Sequence, residues 1–386
     1  MRFLHTGDWH VGKMLRGRSR VGEQEAVLED ILEVAAEHDV DLVLVAGDLF
    51  ESHAPSPQAE RVVYGFLARL AQRQLPTVVI GGNHDHPKRL AALKELLQPL
   101  GIHVRPEPAA AEEGGVVELE AGGEKIKVAC LPFVSERRVV DACQLMGPEE
   151  EWFQEYKDRV GQMCRLLAES FEEDKVNILM AHVHVLGAET SGSERAIHVA
   201  HPYALDAGEF PESAQYVALG HLHRPQRINA PVPCHYCGST LQLDFGEQMQ
   251  EKRVIVGTAE PGVPAEIESV ALKAGRRLRD VSGTLKDLKA ESRQWGHDYL
   301  RVTVELDEPV PGIADQVREA LPNAIDVRAR YPRTEEPVRH RSVSSLAPQD
   351  LFQHFYRKQH GAEPPEALAA LFKQLYEEAL DASDTA

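Results

Sequence analysis

The sequence predicts an α/β protein in which polar side chains gather at one edge of a sheet. Short runs of Val, Ile and Leu recur along the chain, and their length and composition indicate buried strands. Amphipathic helical patterns separate the first of these runs, and each run ends in a cluster of polar residues that includes Asp, Asn or His. Alternating strands and helices are typical of an α/β sheet, and ligands bind such sheets beyond the carboxyl ends of the strands.

The predicted elements follow one another in a regular order. Five apolar runs are predicted as strands: residues 3–4, 42–46, 78–80, 177–181 and 216–219. Two helices are predicted between the first three strands, over residues 23–38 and 58–73, because apolar residues recur there at steps of three and four. A polar, acidic helix is predicted over residues 149–173.

The second half of the chain indicates further domains. A stretch containing Pro and Gly at residues 257–274 is typical of a domain boundary, and a strand and a short helix are predicted after it. Two helical segments are predicted near the C-terminus, over residues 348–359 and 365–380. We therefore predict four parts: a main domain over residues 1–270, a small domain over 275–332, a charged linker over 333–345 and a helical segment over 346–386.

Composition limits the possible functions. The chain has 386 residues, 43% of them hydrophobic and 27% charged, which is typical of a globular protein. No apolar run is long enough to span a membrane, the N-terminus turns polar too early for a signal peptide, and five cysteines are too few and odd for a disulfide framework. We therefore expect a cytoplasmic protein.

Charge argues against non-specific binding to nucleic acid over the whole surface, because the net charge is −19. The net charge does not exclude a local site for nucleic acid. Lys13, Arg16, Arg18 and Arg20 form a basic cluster that contains no acidic residue. The cluster directly follows the first polar motif, so we expect it at the rim of the candidate site, where it could contact phosphate groups of DNA.

The polar residues at the strand ends form a mixed set of oxygen and nitrogen ligands. They are Asp8, His10, Asp48, Asn83, His84, His182, His221 and His223. Carboxylates, imidazoles and an amide oxygen suit manganese, iron or zinc better than calcium or magnesium. One carboxylate can bridge two metals about 3.5–4 Å apart, and Asp48 is the candidate because it stands alone on its strand end. A single D-x-H motif is often a loop pattern, but five such clusters in this order favour a site.

The motifs resemble a known superfamily. GDWH, GDLFE, GNHD, AH and GHLH, in this order, resemble the calcineurin-like metallophosphoesterases. The flanking AGDLFESHAPSPQA, GSER, YVALGHLHRPQ and CGSTLQLDFGE resemble the bacterial SbcD nuclease family within that superfamily. The resemblance covers nearly the whole chain and is densest over residues 1–250. It implies a β-sandwich flanked by helices, a small α+β capping domain over 275–332 that contacts DNA, and a C-terminal helical tail.

The resemblance also implies roles for the polar residues. It implies two manganese ions, one held by Asp8, His10 and His223, the other by Asn83, His182 and His221, with Asp48 shared. His84 would be the catalytic imidazole, and Asp85 would orient its ring and support its charged form. Some relatives place a histidine at the position of Glu51, so a second catalytic imidazole is absent or replaced here. Two such cations lower the pKa of a bridging water and so supply hydroxide for attack on phosphorus.

The implied function is that of a DNA nuclease subunit. It would act as a 3′ to 5′ exonuclease on duplex ends and an endonuclease on hairpins or single strands, in DNA repair, recombination and replication. Its partner would be an SbcC-type ATPase with long coiled coils, docked by residues 346–386. We also expect a homodimer within a heterotetramer.

Two other functions remain open from the sequence. The chain could be a phosphatase or small-molecule phosphodiesterase on the same scaffold. Protein phosphatases of this superfamily usually follow GD with Asp-Arg-Gly, whereas Leu49, Phe50 and Glu51 stand here. The chain could also be a non-catalytic binding module, but such modules typically lack one or more metal ligands, and the set here is complete.

Overall fold

A computed structural model describes residues 1–134, 149–194 and 204–331, and over 149–156 it describes the backbone. In the tail it describes residues 352–353, 355–357, 363–365, 368–369 and 371–373. The chain divides into two units, Met1–Arg330 and Tyr331–Ala386. Among the residues described, no helix is both long and apolar enough to cross a membrane.

The strands and helices of the first unit are as follows. The strands are β1 Arg2–Thr6, β2 Met14–Leu15, β3 Arg18–Ser19, β4 Leu42–Val45, β5 Thr77–Ile80, β6 Ile102–Arg105, β7 Val116–Ala121, β8 Glu124–Leu131, β9 Val176–His182, β10 Tyr216–Gly220, β11 Gln226–Ile228, β12 Cys234–Tyr236, β13 Arg253–Glu260, β14 Val263–Ala271, β15 Leu278–Gly283, β16 Tyr299–Glu305 and β17 Ala324–Arg330. The helices are α1 Val21–Glu37, α2 Pro57–Gln72, α3 Pro87–Leu97, α4 Glu149–Ala168, α5 Leu285–Glu291 and α6 Ile313–Ala320.

Two six-stranded sheets pack face to face. The first has the order β14-β13-β1-β4-β5-β6, and the second has the order β11-β12-β10-β9-β8-β7. Strands β1, β4, β5 and β6 run parallel in the first sheet, as do β8, β9, β10 and β12 in the second. The carboxyl ends of each parallel group therefore lie at one edge of its sheet, where the predicted ligands follow.

The apolar runs alternate between two cores. Phe3, Leu42 and Leu44 pack between the sheets with residues of the second sheet. Their neighbours Leu4 and Val43 point to the other side and pack under the helices on the first sheet. A further core covers the outer face of the second sheet. Burial on both faces explains why the runs are continuously apolar, and the predicted β-sandwich flanked by helices is confirmed.

The helices begin where local sequence favours it. At α2, the hydroxyl of Ser56 accepts a hydrogen bond from the Ala59 amide at 3.3 Å, and Pro57 occupies the first turn. The predicted helix over residues 58–73 is therefore found within one residue of its expected ends. The acidic helix ends at Ala168, five residues before the predicted boundary.

The small domain has its own sheet of three parallel strands, β15-β16-β17, joined by α5 and α6. Its core includes Leu300, Val302 and Val317. A second apolar cluster joins this domain to the sandwich: Leu15, Phe245, Leu278 and Tyr299. The domain boundaries themselves stay a prediction.

In the second unit, the described tail residues are helical at 352–353, 355–357, 368–369 and 371–373. The rings of Phe352 and Phe372 stack with centroids 4.3 Å apart and planes 7° apart. The side chains of Phe355 and Leu371 are 59% and 49% exposed. The remaining parts of the two predicted tail helices, and the linker over 333–345, lie outside the described residues.

Candidate metal centre

The polar residues predicted at the strand ends meet in one buried cluster. Asp8 and His10 follow β1, Asp48 follows β4, Asn83 and His84 follow β5, His182 ends β9, and His221 and His223 follow β10. Every one of them is less than 9% exposed. The loops are tied together through the backbone, because the amides of Asp8 and His10 donate to the carbonyls of Gly47 and Asp48 at 2.9 and 3.0 Å.

Asp48 lies between two groups of ligands. Its Oδ2 atom is 3.5 Å from His10 Nε2 and 3.5 Å from His182 Nε2. Ligand atoms that each lie about 2.1 Å from one metal are about 3–3.5 Å from each other. Asp8, His10 and His223 form one compact group, with ligand atoms all within 4.8 Å of one another.

The second group meets at the amide of Asn83. Its Oδ1 atom lies 3.0 Å from His182 Nε2 and 2.9 Å from His221 Nδ1. An oxygen that faces two imidazole nitrogens suits a shared cation, since those nitrogens can act as metal ligands when deprotonated. This grouping coincides with the ligand set that the sequence resemblance implies.

One buried atom supports a metal independently of that resemblance. His10 Nε2 is buried and has no hydrogen-bond partner among the described residues. Buried polar atoms are nearly always paired, so an unpaired nitrogen that faces a carboxylate is unusual. A cation between His10 and Asp48 would satisfy both groups. The residues present therefore fit a pair of divalent metals.

Backbone strain is concentrated at the same residues. The φ angles of Asp8, His10, Asp48 and His221 are 48°, 45°, 52° and 102°. Residues other than glycine rarely adopt positive φ, and such conformations cluster at functional sites; four of the seven described here belong to the predicted ligand set. The strain turns the side chains into the cluster immediately after each strand ends.

Two glycines make room for the ligands. A Cβ atom on Gly82 would lie 2.1 Å from Asp48 Oδ1, and one on Gly47 would lie 2.5 Å from His182 Nδ1. Gly47 also has a φ of 93°, which disfavours any side chain. The glycine before Asp48 and the one before Asn83 are therefore part of the site.

Three of the imidazole rings are held in place by a hydrogen bond at Nδ1, the ring nitrogen that faces away from the proposed metals. His182 Nδ1 lies 2.7 Å from the carbonyl oxygen of Ala46, which leaves Nε2 facing Asp48 and Asn83. Glu51 holds two rings, with its carboxylate 3.0 Å from His10 Nδ1 and its backbone carbonyl 2.6 Å from His84 Nδ1. Such contacts select the tautomer and orientation of a ligand imidazole.

Asp85 has a different position from the one expected. Its carboxylate accepts hydrogen bonds from the amides of Gly82, Leu49 and Phe50 at 3.0, 3.2 and 3.1 Å. It therefore ties the loop after β5 to the loop after β4. The His84 ring, which the sequence predicts Asp85 to orient, has its Nδ1 atom 2.6 Å from the Glu51 carbonyl oxygen.

The charged groups of the cluster shift one another's pKa values. Burial raises the pKa of Asp8 to about 7. Burial also disfavours the charged form of Asp48, but His182 and His10 hold its pKa well below the usual range. Burial lowers the pKa of His182, but the charge of Asp48 outweighs it and raises that pKa to about 9. A cation that binds both must therefore displace the proton of His182.

The predicted DNA-contacting cluster is largely engaged within the protein. Arg20 is 2% exposed and donates to the Gln242 carbonyl and to Glu23, so it is not available to phosphate groups. Lys13 pairs with Glu51 at 2.7 Å. Arg16 lies 3.5 Å from Asp326 of the small domain.

Arg18 is the exception in this cluster. It is exposed, and among the described residues it has no ion-pair partner. Sequence reasoning missed the internal role of Arg20 because the residues that bury it come from distant segments. Arg20 and Arg276 lie 5.7 and 4.9 Å from the ring centroid of Tyr299.

Comparisons with known proteins show which families this chain resembles. The family described as calcineurin-like phosphoesterase matches residues 1–225, and the Type 5 capsule protein repressor C-terminal domain matches residues 274–360. The chain is 34% identical to the SbcD subunit of the nuclease SbcCD from Bacillus subtilis over 97% of each chain. It is 32% identical to the SbcD protein of Rhodobacter capsulatus over 91% of each chain, and 28% identical to that of Escherichia coli K12 over 89% of this chain and 88% of the other.

The fold and the site define a calcineurin-like phosphoesterase, a class of metal-dependent hydrolases. The similarity to the SbcD protein of Bacillus subtilis extends over nearly the full length of both chains, and it identifies the family within this class. The chain belongs to the SbcD family of SbcCD nuclease subunits.

Proposed function

We propose that this chain is the nuclease subunit of an SbcCD-type complex and hydrolyses phosphodiester bonds in DNA with two divalent metals. The observation that carries the proposal is the position of Asp48 Oδ2, 3.5 Å from one histidine of each metal group. A bridging carboxylate is the arrangement used for in-line displacement at phosphorus. The full-length similarity to nuclease subunits favours DNA as the substrate.

Manganese is the metal that the ligand set favours. Four imidazoles stand in the two groups, and imidazole prefers transition metals to magnesium. Two divalent cations held by these residues would supply a hydroxide and neutralise a phosphodiester oxygen. His84, held through Nδ1 by Glu51, presents Nε2 to protonate the leaving oxygen or to stabilise its charge.

We further propose the mode of action that the family resemblance implies. The chain would degrade duplex ends from 3′ to 5′, cut hairpins or single strands, and act in the cytoplasm as a homodimer within a heterotetramer. The described cysteines, Cys130, Cys164, Cys234 and Cys237, are free and buried, which is compatible with a reducing compartment. Arg18 and the small domain would contact DNA phosphates.

The tail would bind the ATPase subunit. Its described residues include Phe355, Leu368 and Leu371, which are 59%, 37% and 49% exposed. Exposed apolar side chains on short helices suit a helix-in-groove contact with a partner. We propose that the coiled-coil base of an SbcC-type ATPase supplies that groove.

Three substrates, each assayed with manganese and without it, test the proposal. They are linear duplex DNA, bis(p-nitrophenyl) phosphate and a phosphomonoester. We expect manganese-dependent cleavage of the first two. Hydrolysis of the monoester alone would favour a phosphatase, and no hydrolysis of any substrate by a metal-loaded chain would favour a binding module. Full activity in magnesium after stringent chelation would contradict the proposed ligand preference.

A further inference from the structure

His223 contacts a polar network that lies outside the proposed ligand set, in which Glu247 and Lys252 are buried and Ser193 is half-buried. Its Nδ1 atom is 2.6 Å from the hydroxyl oxygen of Ser193, which also hydrogen-bonds the Glu247 carboxylate. Glu247 is fully buried and Lys252 is 7% exposed, with 2.7 Å between their charged groups. Buried charges are costly unless paired, so a buried ion pair directly behind one histidine requires an explanation.

The chemistry of these groups fixes the direction of each hydrogen bond. Three more groups face the Glu247 carboxylate: Lys252 at 2.7 Å, the Leu243 amide at 3.0 Å and the Ser239 hydroxyl at 3.2 Å. A carboxylate paired in this way is ionised and can only accept. The Ser193 hydroxyl must therefore donate to Glu247.

The hydrogen bond between Ser193 and His223 has its direction fixed in the same way. Because the Ser193 proton is used on Glu247, its oxygen accepts a hydrogen bond from the ring, so His223 carries its proton on Nδ1. A neutral imidazole has one proton, which leaves the lone pair on Nε2. That nitrogen is the one free to bind a cation in the group with Asp8 and His10.

The network also holds the main chain of His223. Its carbonyl accepts from Lys252 Nζ at 2.9 Å and from the Ser239 amide at 3.1 Å. Its amide donates to Glu194 at 3.1 Å. The ring and the backbone of His223 are thus held by residues 193–194 and 239–252. Lys252 contributes to both, because it pairs with Glu247 and donates to the His223 carbonyl.

We propose that Ser193 and Glu247 are positioning residues that set the tautomer and ring orientation of His223 for binding one of the two metals. The proposal rests on the metal site of the proposed function. The rings of His10 and His182 are oriented in the same way, by the Glu51 carboxylate and the Ala46 carbonyl. The ring of His223 is oriented through the Ser193 hydroxyl, because the Glu247 carboxylate lies 3.5 Å from Nδ1 and Ser193 hydrogen-bonds both groups.

The test compares two substitutions of Ser193 in the full-length chain. Ser193→Ala removes the bridging hydroxyl and leaves the Glu247–Lys252 pair intact, whereas Ser193→Thr keeps a hydroxyl. Metal-stripped protein is titrated with Mn²⁺ in a calorimeter. We expect Ser193→Ala to bind one ion about 10–100-fold more weakly and the other with unchanged affinity, the range typical for partners of ligand histidines. Ser193→Thr should bind both ions as the wild type does.

Ser170→Ala is the matched control. Its hydroxyl donates to the Leu167 carbonyl at 2.8 Å, away from the cluster, so its loss should leave both affinities unchanged. Nitrogen-15 spectra of the histidine rings provide a second readout, in which the Nδ1-protonated form of His223 should lose population in Ser193→Ala and keep it in Ser193→Thr.

The outcomes separate this proposal from the proposed function. Wild-type affinity for both ions in Ser193→Ala would refute the positioning role, whatever the activity. Equal weakening in Ser193→Ala and Ser193→Thr would also refute it, because the hydroxyl would not matter. A wild-type chain that binds two Mn²⁺ ions but cleaves no DNA would refute the proposed function and leave the positioning role supported by the affinity difference.

Discussion

Asp85→Asn distinguishes a catalytic role for Asp85 from the structural role that its contacts indicate. The carboxylate accepts three backbone hydrogen bonds, two at Oδ2 and one at Oδ1. An asparagine amide that keeps its oxygen at the Oδ2 position retains the bonds from Gly82 and Leu49. Its nitrogen then faces the Phe50 amide, and two donors meet in a buried site.

The expected loss follows from those bonds. A hydrogen bond to a charged acceptor contributes about 1.5–3 kcal/mol, and one between neutral groups about 0.5–1.5 kcal/mol. The substitution replaces three bonds to a carboxylate by two bonds to a neutral amide oxygen, which costs several kcal/mol. Burial offsets part of this cost, since it raises the pKa of Asp85 to about 6 and so disfavours the carboxylate. We expect a net loss of about 2–4 kcal/mol in the free energy of unfolding, or about 3–5 °C in Tm, because the entropy of unfolding grows with chain length.

The assay measures Tm and Mn²⁺ affinity together. Asp85→Asn should lower both, because Gly82 precedes Asn83 and the loop after β5 carries that ligand. Asp30→Asn is the matched control: Asp30 is 7% exposed and accepts the amides of Lys273 and Ala274 at 2.5 and 3.0 Å, far from the cluster. It should lower Tm and leave metal affinity intact. A normal Tm and normal affinity with a large fall in kcat for Asp85→Asn would refute the structural role.

Four further changes test the site and the tail. His84→Gln should abolish DNA cleavage and keep both Mn²⁺ ions, whereas Asp48→Asn should weaken both; calorimetry showing the reverse pattern would require the two roles to be exchanged. Gly82→Ala should weaken Mn²⁺ binding more than 10-fold, because its Cβ would lie 2.1 Å from Asp48 Oδ1; wild-type affinity in a titration would contradict this. Deletion of residues 341–386 should leave Mn²⁺-dependent cleavage of short single strands unchanged and abolish co-purification with the ATPase, and a truncated chain that still binds the ATPase tightly would exclude the docking role.

The location of the site could be predicted from the sequence because of one geometric rule. Parallel strands end at a common edge, so polar residues after Val45 and Ile80 had to lie close together once the apolar runs were recognised as strands. The runs are recognisable because both of their faces are buried, which removes polar residues from them. Asp48 and Asn83 could therefore be placed together without any knowledge of the loops.

The contacts around the ligands could not be predicted in this way. Glu51 reaches His10 across 41 residues through two irregular loops, and Ser193 reaches Glu247 across 54. No periodicity describes such loops, and positive φ angles such as those of Asp8 and His10 are uncommon outside glycine, so the sequence does not announce them. The burial of Arg20 could not be predicted for a related reason: its partners include Gln242 and Tyr299, which are distant in the sequence.

The two sheets contribute to the site unequally, and this has a measurable consequence. The first sheet supplies Asp8, His10, Asp48 and Asn83, and the second supplies His182, His221 and His223. Each proposed metal group draws ligands from both sheets, so a bound ion joins the two halves of the sandwich. Unfolding separates those ligands, and an ion that binds only the folded chain stabilises it by about 2.7 kcal/mol at 100 times its Kd. Tm of the wild type should therefore rise as Mn²⁺ is titrated, and Tm of Asp48→Asn should rise far less. Equal increases in both proteins would mean that Mn²⁺ stabilises the chain at other residues, and the bridging role of Asp48 would fail.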